Sequence, residues 1–406
     1  MKTIIVIGGG PAGMMAAISS SKNGNKVILI EKNEKLGKKL YLTGKGRCNL
    51  TNDCTVEEFF ENVVTNQRFL FGALNRFSPD NTMTFFEENG LKLKTERGNR
   101  VFPASDKASD VTKILTKVLH NNGVEIRLNE KVEDLIVENN SVVGVKTDIS
   151  TIFCDSVILC TGGRSYPTTG SDGFGYRLAN KFGHTIIPPK PALSGIELKG
   201  DFYKNLQGLS LKNVRLTANN GNKTLFSDVG EMLFTHFGIS GPLVLSVSSL
   251  ITRLDFSSVS LKIDFKPGLT EEQLLLRLER DFVELKGKNL ANSLVKLLPS
   301  RLITAVLSYC KLSAEIKPFS LTKEQKISLV DAFKNFTMKV NKLRPIEEAI
   351  ITSGGIKVSE INPKTMESKL VKSLYFAGEI IDVDAFTGGY NMQIAFATGY
   401  TAGINA

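Results

Sequence analysis

Residues 4–13 read IIVIGGGPAG, and the fold turns on this stretch. An apolar β-type run, Ile4 to Ile7, meets Gly8-Gly9-Gly10-Pro11-Ala12-Gly13, which fits G-x-G-x-x-G. A helix-like segment follows to Asn23, with Gly24 suited to its C-cap. A second β run, Val27–Ile30, then ends at the acid Glu31, 18 residues after Gly13. Each part has a physical task. Gly8 permits the tight turn, Gly10 lets backbone approach a pyrophosphate, and Gly13 lets helix and strand pack closely. Pro11 suits the first helical turn, where its missing N–H is not needed. The other N–H groups of that turn, with the helix dipole, favour phosphate. Glu31 can accept hydrogen bonds from adenosine ribose hydroxyls and disfavours a 2′-phosphate. Strand, turn, helix and acid in register predict dinucleotide binding.

The bulk properties bound the rest. At 406 residues the chain can form two or three lobes, and 42% hydrophobic with 23% charged residues is ordinary for a globular protein. Three glycines and Pro11 interrupt the apolar start, which therefore fits a nucleotide motif better than a signal peptide. No stretch approaches ~20 uninterrupted apolar residues, so no membrane span is expected, and a cytoplasmic location is the expectation. Net charge is +10, spread along the chain without a block of like charge. The cysteines, Cys48, Cys54, Cys154, Cys160 and Cys310, form no C-x-x-C and have no histidine at ligand spacing. No metal is expected.

Along the chain, β-α-β (4–31) precedes a long loop and mainly helical material to Glu88. Val111–Asn122 has helical spacing, while Val124–Leu128, Lys131–Val137, Val142–Asp148 and Val157–Cys160 read as strands. Pro188-Pro189-Lys190-Pro191 favours an extended connection and a domain boundary. Residues 195–265 alternate as strands do, in Leu211–Ala218 and Val259–Phe265 for example. Residues 271–333 are helical in pattern, with capping boxes at Thr270/Gln273 and Thr322/Gln325. The expected domains are 1–192 and 346–406 together, with 193–345 inserted and helical over 270–335.

Near the C-terminus, SLYFAGEIIDVDAFTGGYNMQIAFATGYTAG places a buried-type strand before Gly378-Glu379, and Gly388-Gly389 before a helix. Glu379 is placed like the acid that holds the ribityl chain in two-part FAD sites. The helix N-terminus would point toward the flavin pyrimidine ring, where reduced flavin carries negative charge. VILCTGG (157–163) adds a strand that ends in Thr-Gly-Gly.

With these features LTGKGRCNLTN (42–52), GEMLFTHFGISGP (230–242), TSGGI (352–356), TMESK (365–369) and FAGEIIDVDAFTGGYNMQ (376–393) resemble the motifs of the BaiN/RdsA family of FAD-dependent oxidoreductases, also called YhiN-like flavoproteins. The resemblance spans the chain. It implies an α/β, Rossmann-like FAD-binding domain built from both chain ends, with an inserted β-barrel-like plus helical lobe. It also implies non-covalent FAD, held by Gly8, Gly10, Pro11, Ala12, Gly13, Glu31, Lys32 and Lys39, and by Gly46, Arg47, Cys48 and Asn49. Val132, Thr161, Gly162, Gly163, Gly378, Glu379, Asp382, Gly389, Asn391, Met392 and Gln393 complete that set. Thr43, Lys45 and Ala385 depart from the commoner family pattern without putting an FAD contact in doubt.

Cys48-x5-Cys54 has some likeness to the thiol pair of flavin disulfide reductases, but the spacing differs and no second G-x-G-x-x-G follows in mid-chain. Arg47 is the better candidate in that loop, for neutralising pyrophosphate or flavin charge. His236 is the candidate substrate-side acid or base, with Tyr390 and Asp384 as lesser ones; His120 and His184 receive no role. The expected activity is hydride transfer through flavin N5, with a small-molecule substrate entering between the FAD domain and the inserted lobe. An NADH- or NADPH-driven reductase of an enone-like or steroid-type substrate fits, and so does an amine oxidase of the aminoacetone type using oxygen. The alternative from another class is an RNA-binding flavoprotein, motivated by the basic balance. The lack of Trp and of a Lys/Arg cluster among aromatics argues against nucleic acid as a partner.

Overall fold

The computed structural model describes residues 1–406, apart from the side chain of Lys45, so that departure from the family pattern lies outside the described residues. The chain divides into two compact units, Met1–Ala192 with Pro345–Ala406, and Leu193–Arg344.

The first unit is built on a five-stranded sheet. Its strands are β1 (Thr3–Ile7), β2 (Lys26–Glu31), β3 (Glu125–Leu128), β4 (Ser156–Leu159) and β5 (Leu374–Phe376), ordered β5-β4-β1-β2-β3. All four pairings are parallel, with Ile5 opposite both Val157 and Ile28. Such strands are covered on both faces, which is why β1 and β4 are continuous apolar runs rather than alternating ones. Because β5 pairs with β4, the C-terminal segment completes the sheet that the N-terminal segment begins.

Helix α1 (Pro11–Lys22) connects β1 to β2, with Gly10 as N-cap, Asn23 as C-cap and Gly24 at φ +79°. Every residue from Ala12 to Ser20 is buried, so α1 has no solvent stripe. One side is covered by α2 (Tyr390–Asn405), and there the approach is backbone to backbone. A Cβ on Gly399 would lie 2.3 Å from the Ala12 carbonyl oxygen, and one on Gly403 would lie 2.3 Å from that of Ala16.

The prolines at 188–191 lie within a strand, Ile186–Ala192, paired antiparallel with Ile351–Ile356. The ladder shifts register between Ile187 and Lys190, where two consecutive prolines have no N–H to donate. Two short strands escaped the sequence reading. Leu93–Glu96 and Arg100–Pro103 form a three-stranded sheet with Thr51–Asn52; they are short and mostly polar, so they carry little periodic signal.

The second unit is a closed six-stranded barrel, in the order 196–198, 238–240, 223–235, 210–220, 259–264 and 336–343. Antiparallel pairing of Phe336–Leu343 with Ile196–Leu198 closes it. That strand was not expected, although Phe336, Met338 and Val340 alternate as buried residues. Both capping boxes form, at the starts of helices Glu271–Glu284 and Lys323–Lys334. No helix among the described residues is long and apolar enough to cross a membrane.

His184, in the first unit, is fully buried. Ser368 Oγ accepts from the N–H groups of Leu370 (3.0 Å) and Val371 (2.9 Å), so its hydroxyl donates to His184 Nε2 at 2.8 Å. The ring's Nδ1–H then donates to the Ala179 carbonyl at 3.2 Å. Burial outweighs that bond and lowers the imidazole pKa. Below pH ~6.5 the unfolded chain takes up a proton that the folded chain refuses, so stability present above that pH is lost on acidification. Denaturant midpoints should therefore fall from pH 7.5 to 5, and less steeply in His184→Asn. Separately, Gly399→Ala should lower stability by about 3 kcal/mol, measured by urea unfolding, because its methyl is driven into the α1 backbone.

Candidate functional site

The three motif glycines have distinct jobs. Gly8 leaves β1 at φ +102° with its N–H on the Ile30 carbonyl (2.8 Å), and a Cβ there would sit 2.6 Å from the Cys160 carbonyl oxygen. A Cβ on Gly13 would sit 1.9 Å from the Gly8 carbonyl oxygen. Gly10 differs, since a Cβ there would meet nothing within 4 Å. It caps α1 with no side chain, beside Pro11 at the first helical position, so no cap side chain occupies the first-turn N–H groups.

Glu31 ends β2 beside this turn and is 8% exposed. One carboxylate oxygen accepts from the Gly9 N–H (2.7 Å); the other accepts from the backbone N–H (2.8 Å) and side-chain amide (2.7 Å) of Asn33. A carboxylate offers about four lone-pair sites, so one remains for a further donor.

The C-terminal motif meets the same place. Gly378 adopts φ +77°, donates its N–H to Thr398 Oγ1 (2.9 Å), and would bring a Cβ to 2.7 Å from that of Ala12. Glu379 is then a hub. It accepts from Ser165 Oγ (2.9 Å) and the Thr352 N–H (2.8 Å) on one oxygen, and from Lys39 Nζ (2.6 Å) on the other. Lys39 also reaches Ser165 Oγ at 2.5 Å, and the buried Tyr176 hydroxyl donates to the Glu379 carbonyl at 3.2 Å. A Cβ on Gly163 would lie 2.4 Å from Thr352 Oγ1, so the Thr161–Gly163 strand end joins this cluster, with Gly162 at φ +73°. Ser165 and Thr352 were not among the expected site residues; TSGGI marked the position of Thr352 without its role.

Several expected site residues have protein partners of their own. Arg47 was expected to neutralise phosphate or flavin charge. Instead its guanidinium grips Glu96 in two bonds (2.9 and 3.1 Å), bonds Asp106 (3.1 Å) and lies 4.0 Å from the Phe102 ring centroid. The Arg47 bonds hold the Glu96 carboxyl below its usual range. Asn391 folds back onto the Ala385 backbone, bonding both its N–H (2.9 Å) and its carbonyl (2.7 Å). Gln393 is fully buried and ties Thr51 (2.8 Å), Thr82 (2.6 Å) and the Phe77 carbonyl (2.8 Å) to α2. Asp382 is buried and accepts from the Asn66 amide on its carbonyl (2.6 Å) and carboxylate (3.0 Å). Lys32 pairs with Asp172, and Val132 opens a strand opposite Thr147.

What α2 can present is therefore backbone. A Cβ on Gly389 would sit 2.2 Å from the Thr51 carbonyl oxygen, and this glycine caps α2 without a side chain, just before half-buried Met392. Two buried side-chain atoms in the expected set, Asn49 Oδ1 and Thr161 Oγ1, have no protein partner, which fits a polar ligand beside them. Gly46 (φ +86°) and Cys48 (φ +63°) bracket Arg47. His236 is exposed in the second unit, in the turn between the barrel strands 223–235 and 238–240, edge-on to Phe237.

All five cysteines are free, and burial pushes the Cys48 thiol up to about 12. Titration of denatured protein should count five thiols with and without reductant. In the native protein at pH 8, Cys48 and Cys160 should stay unmodified, because a buried neutral thiol is a poor nucleophile.

The model of the HI0933-like protein Rossmann domain family matches residues 2–405. The chain is 31% identical to a 3-dehydro-bile acid delta(4,6)-reductase of Clostridium scindens, over 99% of this chain and 98% of that protein. It is 29% identical to a ribosomal RNA dihydrouridine synthase of Escherichia coli, over 98% and 96% of the two chains. Among solved structures, an open conformation of a flavocytochrome c3 fumarate reductase superposes with TM-score 0.52 at 19% identity, over all of this chain and 78% of that one. This last likeness concerns the fold.

Proposed function

The chain belongs to the HI0933-like family and is an FAD-dependent oxidoreductase, and from that premise we propose that it reduces a carbon–carbon double bond conjugated to a carbonyl. The observation that carries this reading is the chemistry shared by two relatives that match end to end. A 3-oxo steroid with Δ4,6 unsaturation and the C5=C6 bond of uracil are both alkenes polarised by a carbonyl, and each accepts hydride at the carbon remote from it.

FAD, when bound, supplies hydride at N5. The residues of this chain do the rest. The first-turn N–H groups of α1 hold phosphate, and Glu31 keeps a lone pair for a ribose hydroxyl. Glu379, with Lys39, Ser165 and Thr352 fixing both its oxygens, orients the ribityl end. The uncapped start of α2 stabilises negative charge near the pyrimidine ring through backbone N–H groups and the helix dipole. NADH or NADPH is the proposed electron donor. The sequence has no second dinucleotide fingerprint to seat it, so it would use the same open face as the substrate.

The sequence has no Lys/Arg cluster among aromatics, which argues against nucleic acid. Yet the charge is uneven between the two units, and that unevenness favours uracil within RNA over a small steroid-type enone. Leu193–Arg344 holds 22 Lys and Arg against 14 Asp and Glu, while the larger unit holds 29 against 27, so +8 of the net +10 belongs to the barrel unit. A polyanion is attracted to such a surface in a salt-dependent way, and more strongly than a bile acid with its single carboxylate. The test is the anaerobic visible spectrum with NADPH or NADH, followed by a 3-oxo-Δ4,6 steroid or a uridine-containing ribosomal RNA transcript. Bleaching by nicotinamide and recovery with the RNA transcript are expected, weakening between 50 and 200 mM salt because each phosphate contact releases about 0.7 counterion from a single strand. Recovery with the steroid alone would assign the enone instead. Flavin bands that persist with both nicotinamides would defeat the reading and favour an amine oxidase using oxygen.

A further inference from the structure

Residues 164–173, RSYPTTGSDG, link the two acids of the site. At one end, the Arg164 and Ser165 N–H groups donate to Thr352 Oγ1 (2.8 and 3.1 Å), and fully buried Ser165 donates to Glu379. At the other end, Asn33 spends one amide nitrogen on two acceptors, Glu31 (2.7 Å) and the Thr169 carbonyl (3.1 Å). Lys32 Nζ meets Asp172 at 2.8 Å. Gly170, at φ +114°, lies so close that a Cβ would come within 2.7 Å of the Asn33 amide nitrogen.

The two anchors differ. Ser165 is sealed from solvent, whereas the Lys32 and Asp172 side chains are 31% and 43% exposed. Between them the backbone turns at Tyr166, a non-glycine residue at φ +50°, whose carbonyl accepts from both the N–H (2.9 Å) and the hydroxyl (2.7 Å) of Thr169. A third residue of positive φ, Gly173 at +77°, returns its N–H to the Gly163 carbonyl (3.2 Å). The segment is therefore a strap with one buried root and one solvent-accessible fastening.

We propose that residues 166–173 act as a latch on the cofactor cradle, rooted at Ser165 and fastened by Lys32–Asp172 and Asn33–Thr169, and that opening of this fastening sets the rate of dinucleotide release. Lys32 and Asp172 are positioning residues: they act through the strap. The inference rests on FAD lying between Glu31 and Glu379. Because the fastening borders Glu31 and the root borders Glu379, the strap also couples the two ends of the cradle.

The experiment follows FAD release from the loaded full-length protein, by the rise in free-flavin fluorescence after dilution. Asp172→Asn should speed release about threefold, the scale of one partly exposed ion pair. Asp172→Glu, which keeps the charge opposite Lys32, should stay within about twofold of wild type. Added salt should accelerate wild-type release more than that of Asp172→Asn, since the variant lacks the Lys32–Asp172 pair. Apo-protein melting temperatures should match across the set. Unchanged release in Asp172→Asn, release from Asp172→Glu as fast as from Asp172→Asn, or a matching loss of apo stability would each overturn the latch. A wild-type protein that carries no visible flavin bands and takes up no FAD would instead overturn the cofactor placement.

Discussion

Close backbone approach between the two ends of the chain is the constraint on which the site depends. Gly399 and Gly403 let α2 rest on the carbonyls of Ala12 and Ala16, and Gly378 lets the C-terminal strand end press on Ala12. At the head of α1, Gly13 presses on Gly8. A methyl group at any of these points would overlap backbone or a Cβ, and neighbouring backbone cannot yield as a flexible side chain can. The packing sets two uncapped helix starts, those of α1 and α2, into one unit with the strand ends that carry Glu31 and Glu379.

Polar satisfaction follows from that geometry. Each acid is buried or half-buried, and each is held by donors from separate parts of the chain. Glu31 takes Gly9 and Asn33, whereas Glu379 takes Lys39, Ser165 and Thr352. A half-buried carboxylate needs such donors to stay charged at low cost. These bonds leave the acids pre-oriented, and residues 164–173 connect the two sets.

The parts of the site with local signatures were legible in the chain. The glycine turn, Glu31, the Thr-Gly-Gly strand end and Gly378-Glu379 all stand where short-range geometry needs them. Side-chain partners were less legible. Arg47, Asn391 and Gln393 belong to distinctive motifs, yet their polar groups hold Glu96, the Ala385 backbone, and Thr51 with Thr82. Membership in a motif cannot distinguish a residue that touches a ligand from one that shapes the loop around it. Phe336–Leu343 has a local alternation, but its pairing with Ile196–Leu198, some 140 residues earlier in the chain, has no local signal.

Local chemistry thus specified the nucleotide-type domain, its helix caps, the apolar strands and the two acids, because each depends on backbone conformation or burial within a few residues. Closure of the barrel, the Lys39–Glu379 pair and the fastening of Asp172 to Lys32 required the folded chain. They join segments 140 or more residues apart, and distance along a sequence says nothing about which donors and acceptors a fold will bring within 3 Å.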